Sequence, residues 1–292
     1  MPLRIRSSQF QDYATAINTI KSEMSARQIS KHIASNQAHL AMFLGSLIQP
    51  AIPLLLARKR SPIRPLGAVN VSNRAEMIDV AACRRLVLDT DVESGGAAWS
   101  YTISASLPKH AQIVKRGIQT NLVVSIIEET TEHGKREIYR LTFTMLEFRK
   151  QARRAHANGK ESVNQLDHSI NASIDVGSFK MTHADPSNWA RICKDYNFIH
   201  FSTLVARLFG MKGRIAHGNH VVAKAIEVIG TQTGSEIPQE GRRLEMRFKR
   251  PVLIPSRLII RRSSTSASTM AKQYLIAPEG HEKPSIEVDV HL

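Results

Sequence analysis

The chain has 292 residues, of which 42% are hydrophobic and 22% charged, and its formal net charge is +15. That is room for two ordinary domains or one large one, with enough apolar residues for a real core. Two cysteines, Cys83 and Cys193, exclude a disulfide framework and a metal finger, and suit a reducing compartment.

The N-terminal residues MPLRIRSSQFQDY contain no apolar run of signal-peptide length, so the expectation is a cytoplasmic protein. Helix is expected from Tyr13 to Lys31 and again over the apolar run His39 to Ile48. The segment Leu40 to Leu56 resembles a membrane span but carries Gln49, Pro50 and Pro53, and reads instead as a buried helix ending in a proline-rich turn. Arg58, Lys59 and Arg60 with Pro62 and Pro65 then mark a surface turn.

From Gly67 the apolar period changes to two residues. Ala68 to Ser72, Arg85 to Asp89 and Trp99 to Ser104 fit strands, and Asn121 to Glu128 with Glu137 to Phe148 fits a hairpin. In its second strand Tyr139, Leu141, Phe143 and Met145 alternate with Arg140, Thr142 and Thr144, which predicts a sheet with one buried and one solvated face. Residues 149–168 are polar and charged, and the linker is placed at 151–168.

The same order then repeats. Asp185-Pro186 reads as an N-cap and first-turn proline opening a helix from Ser187 to Lys194. A longer helix is expected from Gly218 to Thr231, with Val221, Val222, Ala225, Ile226, Val228 and Ile229 covering most of its circumference. Leu244, Met246 and Phe248 alternate with Glu245, Arg247 and Lys249, and strands follow at 257–262, 272–276 and 285–291. Two halves, each a buried helix followed by antiparallel strands, make an α+β fold built on one repeated pattern.

Chemistry is concentrated between Asp195 and Asn219. Asp195, Asn197 and His200 stand at Asp-x-Asn-x-x-His spacing, and Gly-Arg-Ile-Ala-His-Gly (Gly213 to Gly218) leads into the long helix. Five positions do not stack Asp195 and His200 on one helix, but a break at Asn197 brings them together, and a carboxylate and an imidazole aimed at one point can hold a water and exchange its protons. The competing reading makes Asp195 a cap and His200 a satisfied buried histidine. Gly218, at a helix start, offers an unpaired N–H to a developing negative charge. Taken alone, it is as readily a glycine used for close packing. His217 and His220, three apart, suggest a metal pair without a third ligand, and Cys193 suggests a small buried residue rather than a nucleophile.

The stretch Trp189 to Gly230 resembles the signature region of the MaoC-like dehydratases, the R-specific enoyl-CoA hydratases and 3-hydroxyacyl-thioester dehydratases. Arg247 to Ser256 is similar to that family's strand after the central helix, and Arg64 to Arg74 to the first half of its two-domain members. The resemblance implies a double hot-dog fold, with two long helices each wrapped by an antiparallel sheet. It places a first unit at 1–150 without the motif and a second, active unit at 169–292. It implies that Asp195 and His200 bind the catalytic water, that the Gly218 amide holds the thioester oxygen, and that Asn197, Arg214 and His217 serve the substrate. The implied reaction is reversible hydration of a trans-2-enoyl thioester to the R-3-hydroxyacyl thioester. No metal or redox cofactor is implied, because the thioester itself acidifies the α-carbon. The implied partner is acyl-CoA or an acyl carrier protein, whose acidity matches the +15 charge, rather than nucleic acid. A homodimer stays open beside a pseudo-dimer within one chain. A non-catalytic acyl-thioester binding module and a thioesterase on the same fold are the alternatives.

Four positions depart from the pattern. Lys194 stands where the family has Gly, Phe198 where it has Pro, and Pro255-Ser256 where it has Gly-Asp. Lys194 favours a charged Asp195 if its ammonium faces that carboxylate.

Overall fold

The computed structural model describes residues 1–18, 24–58, 61, 63–64, 68–89, 99–108, 111–131, 134–148, 173–232, 242–264 and 271–291. The predicted linker at 151–168 and the hairpin tip at Glu132-His133 lie outside these residues.

The first half opens with helices α1 (Ser7–Ile17), α2 (Ala26–Ser35), α3 (Gln37–Ile48) and α4 (Ala51–Leu56). It continues with β1 (Ala68–Met77), α5 (Val80–Leu88), β2 (Trp99–Ser106), β3 (Gln112–Val114), β4 (Gly117–Thr130) and β5 (Gly134–Phe148). The second half holds β6 (Ser173–Met181), α6 (Asp185–Cys193), a 3₁₀ turn (Phe198–His200), α7 (Thr203–Leu208) and α8 (Gly218–Gln232). Strands β7 (Arg243–Phe248), β8 (Ser256–Ser263), β9 (Ala271–Pro278) and β10 (Ile286–His291) complete it.

All the strands form one antiparallel sheet in the order β2-β4-β5-β1-β7-β10-β9-β8-β6, with β3 paired on β4. The halves meet where β1 pairs with β7, Ala75 opposite Leu244 and Asn73 opposite Met246. Helix α3 is buried along its whole length, and α8 buries Val221, Val222, Ala223, Ala225, Ile226 and Ile229. Each such valine or isoleucine side chain contributes about 1.5–3 kcal/mol when removed from water. The two helices pack against each other behind the joined sheets. This is the double hot-dog arrangement that the resemblance implies. On β5, Tyr139, Leu141 and Phe143 are buried while Arg140, Thr142 and Thr144 are half-exposed, so the two-residue period reports the faces correctly.

Three expectations need correction. The single helix from Tyr13 to Lys31 is two helices. α1 ends at Asn18 in the left-handed region (φ 62°), and α2 begins in a capping box between Ser25 and Gln28. The strand expected at Arg85 to Asp89 belongs to helix α5. Asp79 caps it by accepting from the Ala82 N–H at 2.8 Å, and Ala82, Cys83, Leu86 and Val87 form its buried stripe. A five-residue window caught Leu86 and Leu88 two apart and missed the helical spacing around them. Asp185 is the first residue of α6 rather than its cap, which is Ala184. Its carboxylate accepts instead from the Thr182 N–H, the Thr182 hydroxyl and the Lys224 ammonium. Strand β6 and helix α7 have no counterpart in the sequence reading.

Candidate active site

Helix α6 ends at Lys194, whose backbone sits in the left-handed region with φ 54° and ψ 24°. This is the conformation that the family's glycine supplies without strain; a lysine holds it at a cost of about 1 kcal/mol. Its ammonium donates to the Arg191 carbonyl, capping α6, and so does not face Asp195. The chain then turns on side-chain hydrogen bonds. Asp195 Oδ1 accepts from the Asn197 N–H at 3.1 Å, and Asn197 Oδ1 accepts from the Ile199 N–H at 3.3 Å. These two successive Asx turns make the bend without a proline at position 198. They deliver His200 at the end of the 3₁₀ turn.

His200 is 8% exposed, and its Nδ1 lies 2.8 Å from the Ile215 carbonyl. A carbonyl only accepts, so the proton sits on Nδ1 and the Nε2 lone pair is free when the ring is neutral. Burial lowers the His200 pKa, against the Asp195 charge and the Ile215 hydrogen bond, which raise it. The His217 ring stacks on it, with centroids 3.6 Å apart at 26°. His217 Nε2 donates to the Asp195 backbone carbonyl at 3.1 Å and lies 3.8 Å from its carboxylate. His217 Nδ1 is buried with no hydrogen-bond partner among the described residues. Burial, and then the nearby His200 and His220, push the His217 pKa well down. One nitrogen from each imidazole and one Asp195 oxygen lie within 4.8 Å of one another. Asp195 itself is open to solvent, its side chain 34% exposed.

Gly218 begins α8 directly after His217. As a first-turn residue its N–H has no acceptor within the helix and carries the positive end of the helix dipole. A Cβ here would stand 2.5 Å from Phe248 Cε1, so the glycine also lets the β7 aromatic ring lie against the helix start. The packing reading of this residue is therefore part of its role.

Asn197 holds the turn, and His217 lies in the cluster. Arg214 is elsewhere: its guanidinium pairs with His183 Nδ1. His217 and His220 do not share a target. His220 lies under Trp189, ring centroids 5.0 Å apart, and donates to the Ala16 carbonyl at 2.7 Å. Cys193 is buried and burial pushes its thiol up to about 12, which leaves it protonated and inert. Two contributors were not foreseen. Asn73 of β1 donates to the Asn219 side-chain oxygen at 2.7 Å, and Asn219 donates to Gln49 at 3.4 Å, so the first half grips the start of α8. Partners 146 and 170 positions apart leave no local signal in a sequence.

The family model described as a MaoC like domain matches residues 165–275, a span that contains Asp195, Asn197, His200 and Gly218. The chain carries a MaoC-like domain. No curated protein matches the sequence. Among solved structures, HtdX of Mycobacterium tuberculosis superposes with a TM-score of 0.64 at 16% identity, over 100% of this chain and 97% of its own. The peroxisomal multifunctional enzyme type 2 of Drosophila melanogaster gives 0.61 at 14% identity, over 100% of this chain and 48% of that one. A further Mycobacterium tuberculosis protein, described as a double hotdog fold, gives 0.55 at 10% identity over 99% and 92%. At these identities the likeness is one of fold, and it extends from the MaoC-like domain across the first half.

The depressed histidines of the MaoC-like domain have a measurable consequence. His200, His217 and His220, the last pushed down to about 4 by burial, are neutral when folded and titrate near 6.5 in the unfolded chain. The unfolded state therefore binds more protons between those values. Stability is fully present above about pH 6.5 and is lost as pH falls toward about 4. Urea unfolding is expected to show a lower midpoint at about pH 5 than at about pH 7.

Proposed function

We propose that this protein is a hydro-lyase acting on acyl thioesters, adding water reversibly to a trans-2-enoyl thioester to give the R-3-hydroxyacyl thioester. The observation that carries the reading is the convergence of the Asp195 carboxylate and the His200 imidazole beside the N-terminus of α8. A water between them donates one proton to Asp195 Oδ2, since Oδ1 is engaged by Asn197, and another to His200 Nε2. As the water oxygen bonds to C3, His200 takes its proton and the double-bond electrons move onto the thioester as an enolate. The Gly218 N–H lies at the helix start where that oxyanion is best held. The protonated His200 then delivers that proton to C2 on the same face, so that H and OH of one water are added and the imidazole is restored; dehydration is the reverse. The matching family model, whose name is that of a dehydratase, supports a hydro-lyase role. The second unit, 169–292, supplies the chemistry and the first, 1–150, supports it.

Coenzyme A or an acidic carrier protein presents the acyl group, consistent with the net charge of +15. Tyr196, Phe198 and Leu204, all more than half exposed, border the catalytic turn as apolar surface for the acyl end. The test is the enoyl absorbance of crotonyl-CoA and of a longer trans-2-enoyl-CoA mixed with the protein. Loss of absorbance with at least one of them, without release of free thiol, is expected. Tight acyl-CoA binding without hydration would make it a binding module, and released thiol a thioesterase.

A further inference from the structure

Away from the catalytic turn, three helices direct metal-ligating atoms at one point. His32 of α2 and His39 of α3 place Nε2 at 3.4 Å and 3.0 Å from the same oxygen, Oε2 of Glu227 on α8. One ligating atom from each residue lies within 4.8 Å of the other two. The aim of the imidazoles is built into the backbone. Asn36, between the two helices, caps α3 by accepting from the Ala38 and His39 N–H groups at 2.9 Å and 3.2 Å. That bond fixes the bend that turns α2 back over α3. The Tyr13 hydroxyl lies 3.4 Å from His39 Nδ1, the kind of outer contact that sets the orientation of a ligating histidine.

We propose that His32, His39 and Glu227 bind one zinc-type divalent cation, which ties the helices of the first half to the central helix of the second. Two imidazole nitrogens and one carboxylate oxygen form a borderline-soft set that suits Zn²⁺ over Mg²⁺ or Ca²⁺. His39 is 1% exposed and Glu227 9%, whereas the His32 side chain is 35% exposed, so a water reaches the fourth position from that side. Burial lowers the His39 pKa and keeps its ring in the neutral form that a metal requires. The site is separate from Asp195, His200 and His217, and its role is to hold helices together rather than to take part in hydration.

The experiment uses the full chain stripped with a chelator and then mixed with zinc or magnesium, reading thermal unfolding and the zinc retained after gel filtration. One zinc retained per chain is expected, with Tm rising with zinc and not with magnesium. His32→Ala at the solvent-facing rim and the near-isosteric Glu227→Gln each weaken zinc binding about 10–100-fold. Asp195→Asn, which breaks the ligand cluster of the catalytic turn, leaves it unchanged. The site is overturned by no zinc retained by the wild type, or by zinc held as tightly by His32→Ala and Glu227→Gln. Zinc lost only in Asp195→Asn overturns it as well, since it places the ion in the catalytic cluster. In each case His32, His39 and Glu227 are a hydrogen-bonded triad alone.

Discussion

His200→Ala is expected to lower turnover of a trans-2-enoyl thioester about 10²–10⁴-fold while the protein stays folded. The side chain lies at the rim of the core, bonded to one carbonyl and stacked on His217, so its loss removes a proton acceptor rather than a support of α8. Asp195→Asn is the cleaner partner experiment. The asparagine oxygen still accepts from the Asn197 N–H, so the turn survives and only the charge and proton-accepting capacity disappear. Both variants should keep the wild-type circular dichroism melt. Near-wild-type rates in both would sink the catalytic reading.

The largest effect on stability is expected at the buried ion pair under α8. Lys224 and Asp185 have side chains 3% and 4% exposed and meet at 2.9 Å. The ammonium also donates to the Lys180 carbonyl at 3.0 Å. Burial by itself raises the Asp185 pKa; the Thr182 N–H, the Lys224 ammonium and His220 outweigh it and hold the group below its usual range. Lys224→Met should lower the unfolding free energy by about 3–5 kcal/mol, because it strands a carboxylate away from water. Asp185→Asn added to Lys224→Met should recover much of that loss, since the stranded charge is then gone. Urea unfolding of the two variants decides it: equal midpoints would mean that the ion pair is not what the lysine stabilises.

What the sequence made legible follows from the range of the interactions. Alternation on β5 and β7 and the apolar circumference of α8 are properties of one segment, and they read correctly. The Asp195 to His200 spacing is local too, and its closure by two Asx turns needed only Asn197. Lys194 in a left-handed conformation was hidden because the residue type argues against it, and only the following turn enforces it. Asp185 reads as a cap because aspartate before proline usually is one; its ion-pair partner stands 39 positions away. The grip of Asn73 and Gln49 on Asn219, the pairing of β1 with β7, and the meeting of His32, His39 and Glu227 are set by topology, which no single stretch encodes.

The β1–β7 pairing also bears on solubility. Where two sheets merely touch, each keeps a border of unpaired N–H and C=O groups able to recruit a strand from another molecule. Here the two inner borders satisfy each other, and the described sheet ends at β2 and β3 on one side and at β6 on the other. Along β2, Leu3 donates to the Tyr101 carbonyl at 2.8 Å and Ile103 donates to the Met1 carbonyl at 2.7 Å, so the first residues occupy part of that border. β6 carries a register break between Asp175 and Gly177 and an exposed Lys180, features that discourage a stranger from pairing. The joined halves thus guard against templated aggregation, which either half alone would invite at its bared inner strand.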